Sequence, residues 1–137
     1  MGDYKKLAVW KRSHDLTLSL DRYSASFPDM ERYGLTSQIR RAAVSIVSNI
    51  AEGASRHNDR ELVRFLQIAH GSACEVECQL LLSRDLGYLK PDSWAALNTD
   101  CMEIGGMLNG LIRSARNQSS SSRVSSRATT RPLKTGD

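Results

Sequence analysis

Apolar residues recur every three or four positions along four stretches of this chain, which is the spacing of one side of an α-helix. The pattern predicts helices over residues 7–26, 36–52 and 58–86, and a fourth from Pro91 onward. Nowhere does an alternating apolar and polar pattern favour a strand. Because fewer than ten residues connect successive helices, the sequence predicts an all-α fold, an up-down-up-down antiparallel four-helix bundle.

The residues between the apolar stretches are typical of helix ends. Pro28 stops the first helix, since a proline disfavours helical backbone at the preceding residue. Thr36 is the expected N-cap of the second helix, and Gly53 is expected after its end with a positive φ. Asn58, with an acid three residues later, predicts a capped start of the third helix, and Gly87 its end.

Each predicted helix carries an apolar stripe that we expect to face the core. The stripes are Val9, Leu16, Leu20, Tyr23 and Phe27; Leu35, Ile39, Ala42, Ala43, Ile46 and Ile50; Leu62, Phe65, Leu66, Ala69, Ala73, Val76 and Leu80; and Trp94, Leu97, Cys101, Ile104, Leu108, Leu111 and Ala115. Gly105, Gly106 and Gly110 weaken the fourth helix, so we expect them to allow close backbone contact with a neighbouring helix.

Two helices carry more apolar residues than a lone bundle needs. Val44, Val47 and Ala51 extend the second helix's stripe, and Leu81, Leu82 and Leu86 extend that of the third. One apolar stripe per helix suffices for a monomer. The surplus predicts a homo-oligomer, and a monomer with a wide stripe is the alternative.

Composition divides the chain near residue 116. Residues 117–137 consist largely of Ser, Thr and Arg, with Val124 and Leu133 as the only large aliphatic residues. Such a segment buries too little surface to offset its ordering entropy, so it is predicted to be a disordered basic tail behind a 1–116 bundle domain. The net charge of +4 is mostly in this tail, because residues 1–116 carry 15 basic and 14 acidic residues.

The remaining bulk features indicate a cytoplasmic protein. No run of about 18 apolar residues predicts a membrane span, and the first ten residues do not resemble a signal peptide. Three cysteines within helical patterns favour a reducing compartment over a disulfide framework.

Long ordered motifs over residues 4–115 carry a family resemblance. They are Leu7-x-Val9-Trp10-Lys11, Phe27-Pro28, Tyr33-Gly34-Leu35-x-Ser37-Gln38-Ile39-Arg40-Arg41-Ala42-Ala43-x-Ser45-Ile46, Asn49-Ile50-Ala51-Glu52-Gly53, Phe65-Leu66-x-Ile68-Ala69-x-Gly71-Ser72, Glu75-x-Glu77 and Leu86-Gly87-Tyr88-Leu89. The chain resembles the four-helix-bundle family named after the open reading frame in intervening sequences of bacterial large-subunit ribosomal RNA, once labelled a ribosomal protein.

This resemblance implies a left-handed four-helix bundle that assembles as a homopentamer. It also implies similarity to the accessory proteins of diversity-generating retroelements, which engage nucleic acid and reverse transcriptase. Val47 departs from the family pattern, since many members have proline there.

Arg40 and Arg41 are the candidates for contact with nucleic acid, because a guanidinium pairs with phosphate in a bidentate manner. The alternative is structural: ion pairs with Glu75 or Glu77 of the third helix, or across a subunit boundary. In the tail, Arg123, Arg127, Arg131 and Lys134 are further candidates for phosphate contact, against the alternative of a solvated extension.

Other polar residues of the motifs are assigned structural or interface roles. Asn49 and Glu52 are expected to anchor the loop after the second helix. The remaining residues of this group are Gln38, Gly53, Ser72, Glu75 and Glu77.

His70, Cys74 and Cys78 follow each other at intervals of four and are the only row that suggests a metal. A fourth ligand is not evident, although Cys101 could face them, and cysteine is also a common small core residue. We therefore expect no metal, no cofactor and no small-molecule substrate, and no catalytic motif is present.

The sequence thus predicts a non-enzymatic oligomeric scaffold or adaptor. Its expected partners are further copies of itself and RNA, or a nucleic-acid-handling protein such as a reverse transcriptase. The alternative is a structural protein–protein interaction bundle without affinity for nucleic acid, which the nearly neutral 1–116 segment favours.

Overall fold

The fold is all-helical with four long helices, consistent with a four-helix bundle. The computed structural model describes residues 2–130, and the side chains of residues 2–119. The helices are α1 (Ala8–Ser24), α2 (Leu35–Ala54), α3 (Asp59–Asp85) and α4 (Pro91–Thr130). Short 3₁₀ turns at Tyr4–Lys6 and Asp29–Glu31 precede α1 and α2, and no strand lies within the described part of the chain.

Contacts join the end of each helix to the start of the next. Arg40 near the start of α2 donates from Nε to Ser24 Oγ at the end of α1, over 2.8 Å. Gly53 in the last turn of α2 lies against Leu62 and Phe65 in the first turns of α3. At the other end of α3, the Arg84 guanidinium lies 4.3 Å from the ring centroid of Trp94 in α4.

One hydrophobic core lies between the four helices. All six predicted core residues of α2 are buried, and so are Leu62, Leu66, Ala69, Ala73, Val76 and Leu80 of α3. The most enclosed large side chains include Leu20, Ile46, Ile50, Leu80 and Leu108. Burying each such side chain contributes roughly 1.5–3 kcal/mol, so this core is the main source of stability.

Four predicted core positions are not buried: Tyr23 of α1, Phe65 of α3, and Trp94 and Leu111 of α4. Tyr23 is 41% exposed, and Ser24, which is buried, lies on the inner side of α1 instead. In α4 the buried residue is Ile112, whereas Leu111 is only partly buried. The prediction for α4 followed a strict 3.5-residue repeat, but a straight helix turns every 3.6 residues, and its inner side therefore passes to Ile112.

The helix ends agree with the sequence in two cases and differ in a third. Asn58 Oδ1 accepts a hydrogen bond from the Glu61 backbone N–H over 2.8 Å, which confirms the predicted cap of α3. Gly87 has a φ of 80°, which confirms its predicted role. Thr36 is not an N-cap, because α2 already begins at Leu35 and Thr36 is buried.

The predictions for four glycines are wrong. Gly53 lies inside α2 and has no positive φ. A Cβ at this position would lie 3.1 Å from Phe65 Cβ and 3.2 Å from Leu62 Cδ1, so glycine is present for close packing of α2 on α3. Gly105, Gly106 and Gly110 of α4 were predicted to allow close contact with a neighbouring helix. An added Cβ at any of these positions would meet no atom of another helix within 4 Å.

α4 continues across the predicted domain boundary at residue 116. It extends to Thr130, which differs from the disordered segment expected after residue 117. The chain has neither Gly nor Pro between Gly110 and Pro132, so no residue in this stretch interrupts the helix. Arg131 and Lys134 lie outside the described residues.

Within residues 2–130, no helix is both long enough and apolar enough to span a lipid bilayer.

We predict opposite effects for one substitution at two glycines. Gly53→Leu places a side chain against Leu62 and Phe65 and should lower the free energy of unfolding by about 1–2 kcal/mol. Gly106→Leu is the matched control in α4, where the new Cβ meets open space and the gain in helix propensity should raise the free energy of unfolding by up to about 1 kcal/mol. Urea unfolding followed by circular dichroism, at equal protomer concentration, measures both. Equal effects of the two substitutions would contradict close α2–α3 packing at Gly53.

Candidate functional site

Arg40 and Arg41 are adjacent in sequence but face different surroundings. Arg40 Nη2 donates to the Asp21 carbonyl oxygen over 3.1 Å, and its Nε lies 3.3 Å from Asp21 Oδ1. Together with the bond to Ser24, these contacts attach Arg40 to α1. The structural alternative is an ion pair with Glu75 or Glu77, or a contact across a subunit boundary. Within the chain, the partner of Arg40 is Asp21 instead, because consecutive helix residues point about 100° apart and Arg40 lies on the α1 side of α2.

Arg41 lies at a polar groove between α2 and α3, which we call the α2–α3 groove. Its volume is about 320 Å³. The lining residues are Gln38, Arg41, Ala42, Ser45, Ser72, Glu75 and Gln79. Four of them were singled out from the sequence: Gln38, Arg41, Ser72 and Glu75. Ser45 and Gln79 were missed, although each lies three or four residues from a predicted one along its helix.

Hydrogen bonds connect the inner wall of this groove. Ser45 Oγ and Ser72 Oγ lie 2.8 Å apart and bridge α2 to α3. Asn49 Nδ2 donates to the Ser45 carbonyl oxygen over 2.8 Å and to Ser45 Oγ over 3.1 Å. Asn49 therefore forms its hydrogen bonds within α2. From the sequence, it was expected to anchor the loop that follows α2 instead.

The groove also contains a polar atom with no partner. Gln79 Oε1 is buried, yet no hydrogen-bond donor reaches it from the part of the chain that is described. Arg41 makes no ion pair and no side-chain hydrogen bond within residues 2–119, unlike Arg40. A buried acceptor without a donor costs roughly 1–3 kcal/mol of stability. Its presence at an open groove therefore favours a partner that supplies the donor.

The other predicted residues of the motifs lie elsewhere. Glu52 Oε2 accepts a hydrogen bond from Arg56 Nη2 over 3.0 Å, just beyond the end of α2. Glu77 lies on the opposite side of α3 from the α2–α3 groove, at a cleft of about 180 Å³ that it shares with His70, Cys74 and Cys101. Glu75 and Glu77 thus belong to two different surfaces.

The cysteine row does not gather into a metal site. His70 Nδ1 and Cys74 Sγ lie 3.9 Å apart, and both Cys74 and Cys78 are exposed. In the described part of the chain, no three His, Cys, Asp or Glu side chains lie close enough to share a metal ion.

Cys101 is buried and donates from Sγ to the Ala73 carbonyl oxygen over 3.2 Å. Burial raises the pKa of this thiol from its ordinary value of 9.0 to about 12, and the nearby Glu77 carboxylate adds to the shift.

A surface that the sequence analysis missed lies at one end of the bundle. It is formed by three segments: residues 3–12 before and within the first turns of α1, residues 52–64 around the α2–α3 connection, and residues 107–116 of α4. A cleft of about 180 Å³ joins the last two, with Arg56, His57 and Asn58 on one side and Leu111, Ser114 and Gln118 on the other. Thr17 Oγ1 donates to the Ala43 carbonyl oxygen over 3.3 Å, and with the Arg40–Ser24 bond this sets the start of α1 beside the end of α2.

Charge is unevenly divided between this end and the rest of the bundle. The three segments carry nine basic and four acidic residues, a net charge of +5, while the other residues of 1–116 carry six basic and ten acidic ones, a net charge of −4. We call the three segments the basic end. Counting charge over the whole 1–116 segment conceals this separation, because the two contributions nearly cancel.

The chain matches the family model described as 23S rRNA-intervening sequence protein over residues 5–110. The chain belongs to this family. A similar solved structure is that of a protein of unknown function from the S23 ribosomal protein family of Bacteroides thetaiotaomicron VPI-5482. It is 24% identical, the match covers 77% of this chain and 95% of that one, and the TM-score is 0.71, which supports the fold alone. Among curated proteins, no sequence matches this chain.

We predict that the two adjacent arginines differ in their effect on stability. Arg40→Ala removes the hydrogen bonds to Ser24 and Asp21 and should lower the free energy of unfolding by about 1 kcal/mol, after allowance for solvent screening. Arg41→Ala is the matched control and should change it by less than about 0.5 kcal/mol. Thermal and urea unfolding of both variants measure the difference, and a larger loss for Arg41→Ala would contradict the assignment.

A second prediction concerns thiol reactivity. At pH 8, iodoacetamide should alkylate the exposed Cys74 and Cys78 of the folded protein, while Cys101 stays protonated and unreactive. Because folding raises the pKa of Cys101, its contribution to stability is present below about pH 9 and is lost as the pH rises toward about 12. Mass spectrometry of peptides after labelling, with and without urea, tests this. Rapid labelling of Cys101 in the folded protein would show that its burial is wrong.

Proposed function

We propose that the protein is a non-enzymatic homo-oligomeric scaffold that binds RNA or a nucleic-acid-handling protein such as a reverse transcriptase. The protomer is an up-down-up-down antiparallel, left-handed bundle, and the assembly is a cytoplasmic homopentamer. The observation that carries the oligomeric part is a row of exposed apolar residues, which we call the outer stripe, on one side of α3 and at its C-terminal end.

This outer stripe follows the spacing of a helix–helix seam. Ile68, Leu82 and Leu86 are 42%, 48% and 54% exposed, respectively. Between them, Ser72, Glu75 and Gln79 continue the alternation of four and three residues. A seam of this spacing is typical of helices that pack along their length against a partner. A second copy of the chain supplies such a partner, and polar residues in the middle of the stripe favour one register over others.

The α2–α3 groove supports the same surface for self-association. The polar residues of the stripe line this groove opposite Arg41, and the groove contains the unpaired Gln79 Oε1. A donor from a second copy satisfies that acceptor and removes its desolvation cost. The surface therefore combines apolar residues that favour burial with polar residues that require a specific partner.

The proposal of RNA as partner has two supports. The family to which the chain belongs takes its description, 23S rRNA-intervening sequence protein, from ribosomal RNA. The basic end offers a cationic surface for phosphates. Neither support involves a reaction. The Cys74 thiol and the His70 imidazole share one cleft, but their Sγ and Nδ1 atoms lie 3.9 Å apart, beyond the roughly 2.6–3.2 Å at which a base activates a nucleophile. The proposed role is therefore binding.

We predict that a charge on the outer stripe disrupts the assembly. Leu82→Glu should convert the oligomer to monomers or smaller species, because it introduces a carboxylate into an apolar contact repeated around the ring. Leu18→Glu is the matched control, since Leu18 is similarly exposed at 46% but lies on α1. Size-exclusion chromatography with light scattering gives the mass, and circular dichroism verifies that both variants remain folded. A monomeric wild-type protein, or an unchanged mass for Leu82→Glu with a reduced mass for Leu18→Glu, would contradict this interface.

A further inference from the structure

The strongest surface that the proposed function leaves without a specific role is the basic end of the bundle together with the part of α4 that extends from it. We propose that this continuous surface binds the phosphate backbone of duplex RNA, without reading its sequence. The inference rests on the proposed function in that it takes RNA as the partner, and it adds where and through which groups the RNA is bound.

Most cations of the basic end are available for a ligand. Arg12, Arg56 and Arg64 form ion pairs with Glu103, Glu52 and Glu61, respectively. Within residues 2–119, the other six basic residues of this end lie in no ion pair: Lys5, Lys6, Lys11, Arg60, Arg113 and Arg116. All six residues are exposed. A phosphate therefore gains their full attraction without displacing a carboxylate of the same chain.

α4 continues this surface away from the bundle. Gln118 of α4 lines the cleft at the basic end, and α4 reaches Thr130. The intervening 12 residues add about 18 Å of helix at 1.5 Å per residue. Arg113, Arg116, Arg123 and Arg127 occur at intervals of three, seven and four residues, so their positions share one side of α4. The helix thus presents a row of arginine positions that begins on the bundle and extends beyond it.

The composition of the extension favours nucleic acid over a membrane. An amphipathic helix that lies in a membrane needs an apolar side. Between residues 117 and 130, Val124 is the only aliphatic residue larger than alanine. The other uncharged residues are Asn, Gln, Ser, Thr and Ala, which add hydrogen-bonding groups for phosphate and ribose but no buried apolar area.

The same composition argues against base recognition. Residues 107–130 contain no aromatic side chain on which an unpaired base could stack. The aromatic residues of segment 3–12, Tyr4 and Trp10, are partly buried and pack against each other, with ring centroids 5.1 Å apart. A-form RNA presents its phosphates along a regular duplex and has a deep major groove that side chains do not read. Arginines spaced along a helix suit the backbone of such a duplex, since each guanidinium binds phosphate oxygens in a bidentate manner.

Arg40 and Arg41, the candidates from the sequence, are less suited to this role. Arg40 is engaged by Asp21 and Ser24. Arg41 lines the α2–α3 groove with Glu75, in the part of the bundle that carries a net charge of −4. A phosphate approaching Arg41 meets the Glu75 carboxylate at the same groove, whereas residues 107–116 around Arg113 and Arg116 contain no acidic residue.

The test is fluorescence anisotropy of a labelled 20-base-pair RNA duplex titrated with full-length protein between 50 and 200 mM salt. Two double variants remove the proposed contacts: Arg113→Gln with Arg116→Gln on the bundle, and Arg123→Gln with Arg127→Gln on the extension. The matched control, Arg22→Gln with Lys90→Gln, removes the same charge from exposed residues outside the basic end. Light scattering confirms that all variants keep the wild-type mass.

We expect each basic-end variant to bind at least about tenfold more weakly at the lower salt concentration, and the slope of log K against log salt to fall by about 2 per protomer in contact. The control variant should bind like wild type. A DNA duplex of the same sequence and an anionic phosphatidylserine vesicle are titrated in parallel.

Each other outcome overturns a distinct statement. Wild-type RNA binding that all three double variants retain equally would leave the proposed RNA partner intact and overturn its assignment to the basic end. No wild-type binding to RNA at low salt would overturn the RNA partner itself. Tighter binding to vesicles than to either duplex would identify a membrane surface and overturn the inference, and equal binding to DNA would widen the ligand to duplex phosphate backbones in general while overturning the preference for RNA.

Discussion

The close packing of α2 on α3 is the contact on which the other surfaces depend. Gly53 leaves room for Phe65 and Leu62 at one end of this pair, and Ser45 bonds to Ser72 near its middle. These two points hold the helices at one distance and in one register. The register places Gln38 and Arg41 opposite Glu75 and Gln79, which creates the α2–α3 groove, and it turns the outer stripe of α3 toward solvent.

Adjacent residues on a tightly packed helix take unrelated roles. Arg40 and Arg41 have the same chemistry and the same local sequence, and a motif alone does not distinguish them. Their side chains leave α2 about 100° apart, so Arg40 stabilises the contact with α1 while Arg41 remains at the groove. The same principle separates Glu75 from Glu77, which lie on opposite sides of α3.

Charge illustrates why totals are a poor guide to a binding surface. The 1–116 segment has a net charge of +1, which argues against a nucleic-acid ligand. Folding brings the start of α1, the α2–α3 connection and the end of α4 to one end of the bundle, and this end carries +5. Since electrostatic interactions in salt act over about 10 Å, a ligand responds to the local charge and not to the sum over the chain.

The sequence by itself determined the four helices, the inner stripes of α2 and α3, the Asn58 cap and the Gly87 helix end. These features depend on residues within one or two helical turns, so local spacing is sufficient to predict them. It also carried the family, through motifs that run along most of the chain. Only the tertiary structure decided the partner of Arg40, the role of Gly53, the open space around Gly105, Gly106 and Gly110, and the basic end. Each of these depends on which residues of other helices lie opposite, and that is set by helix packing across segments distant in sequence, which no local pattern contains.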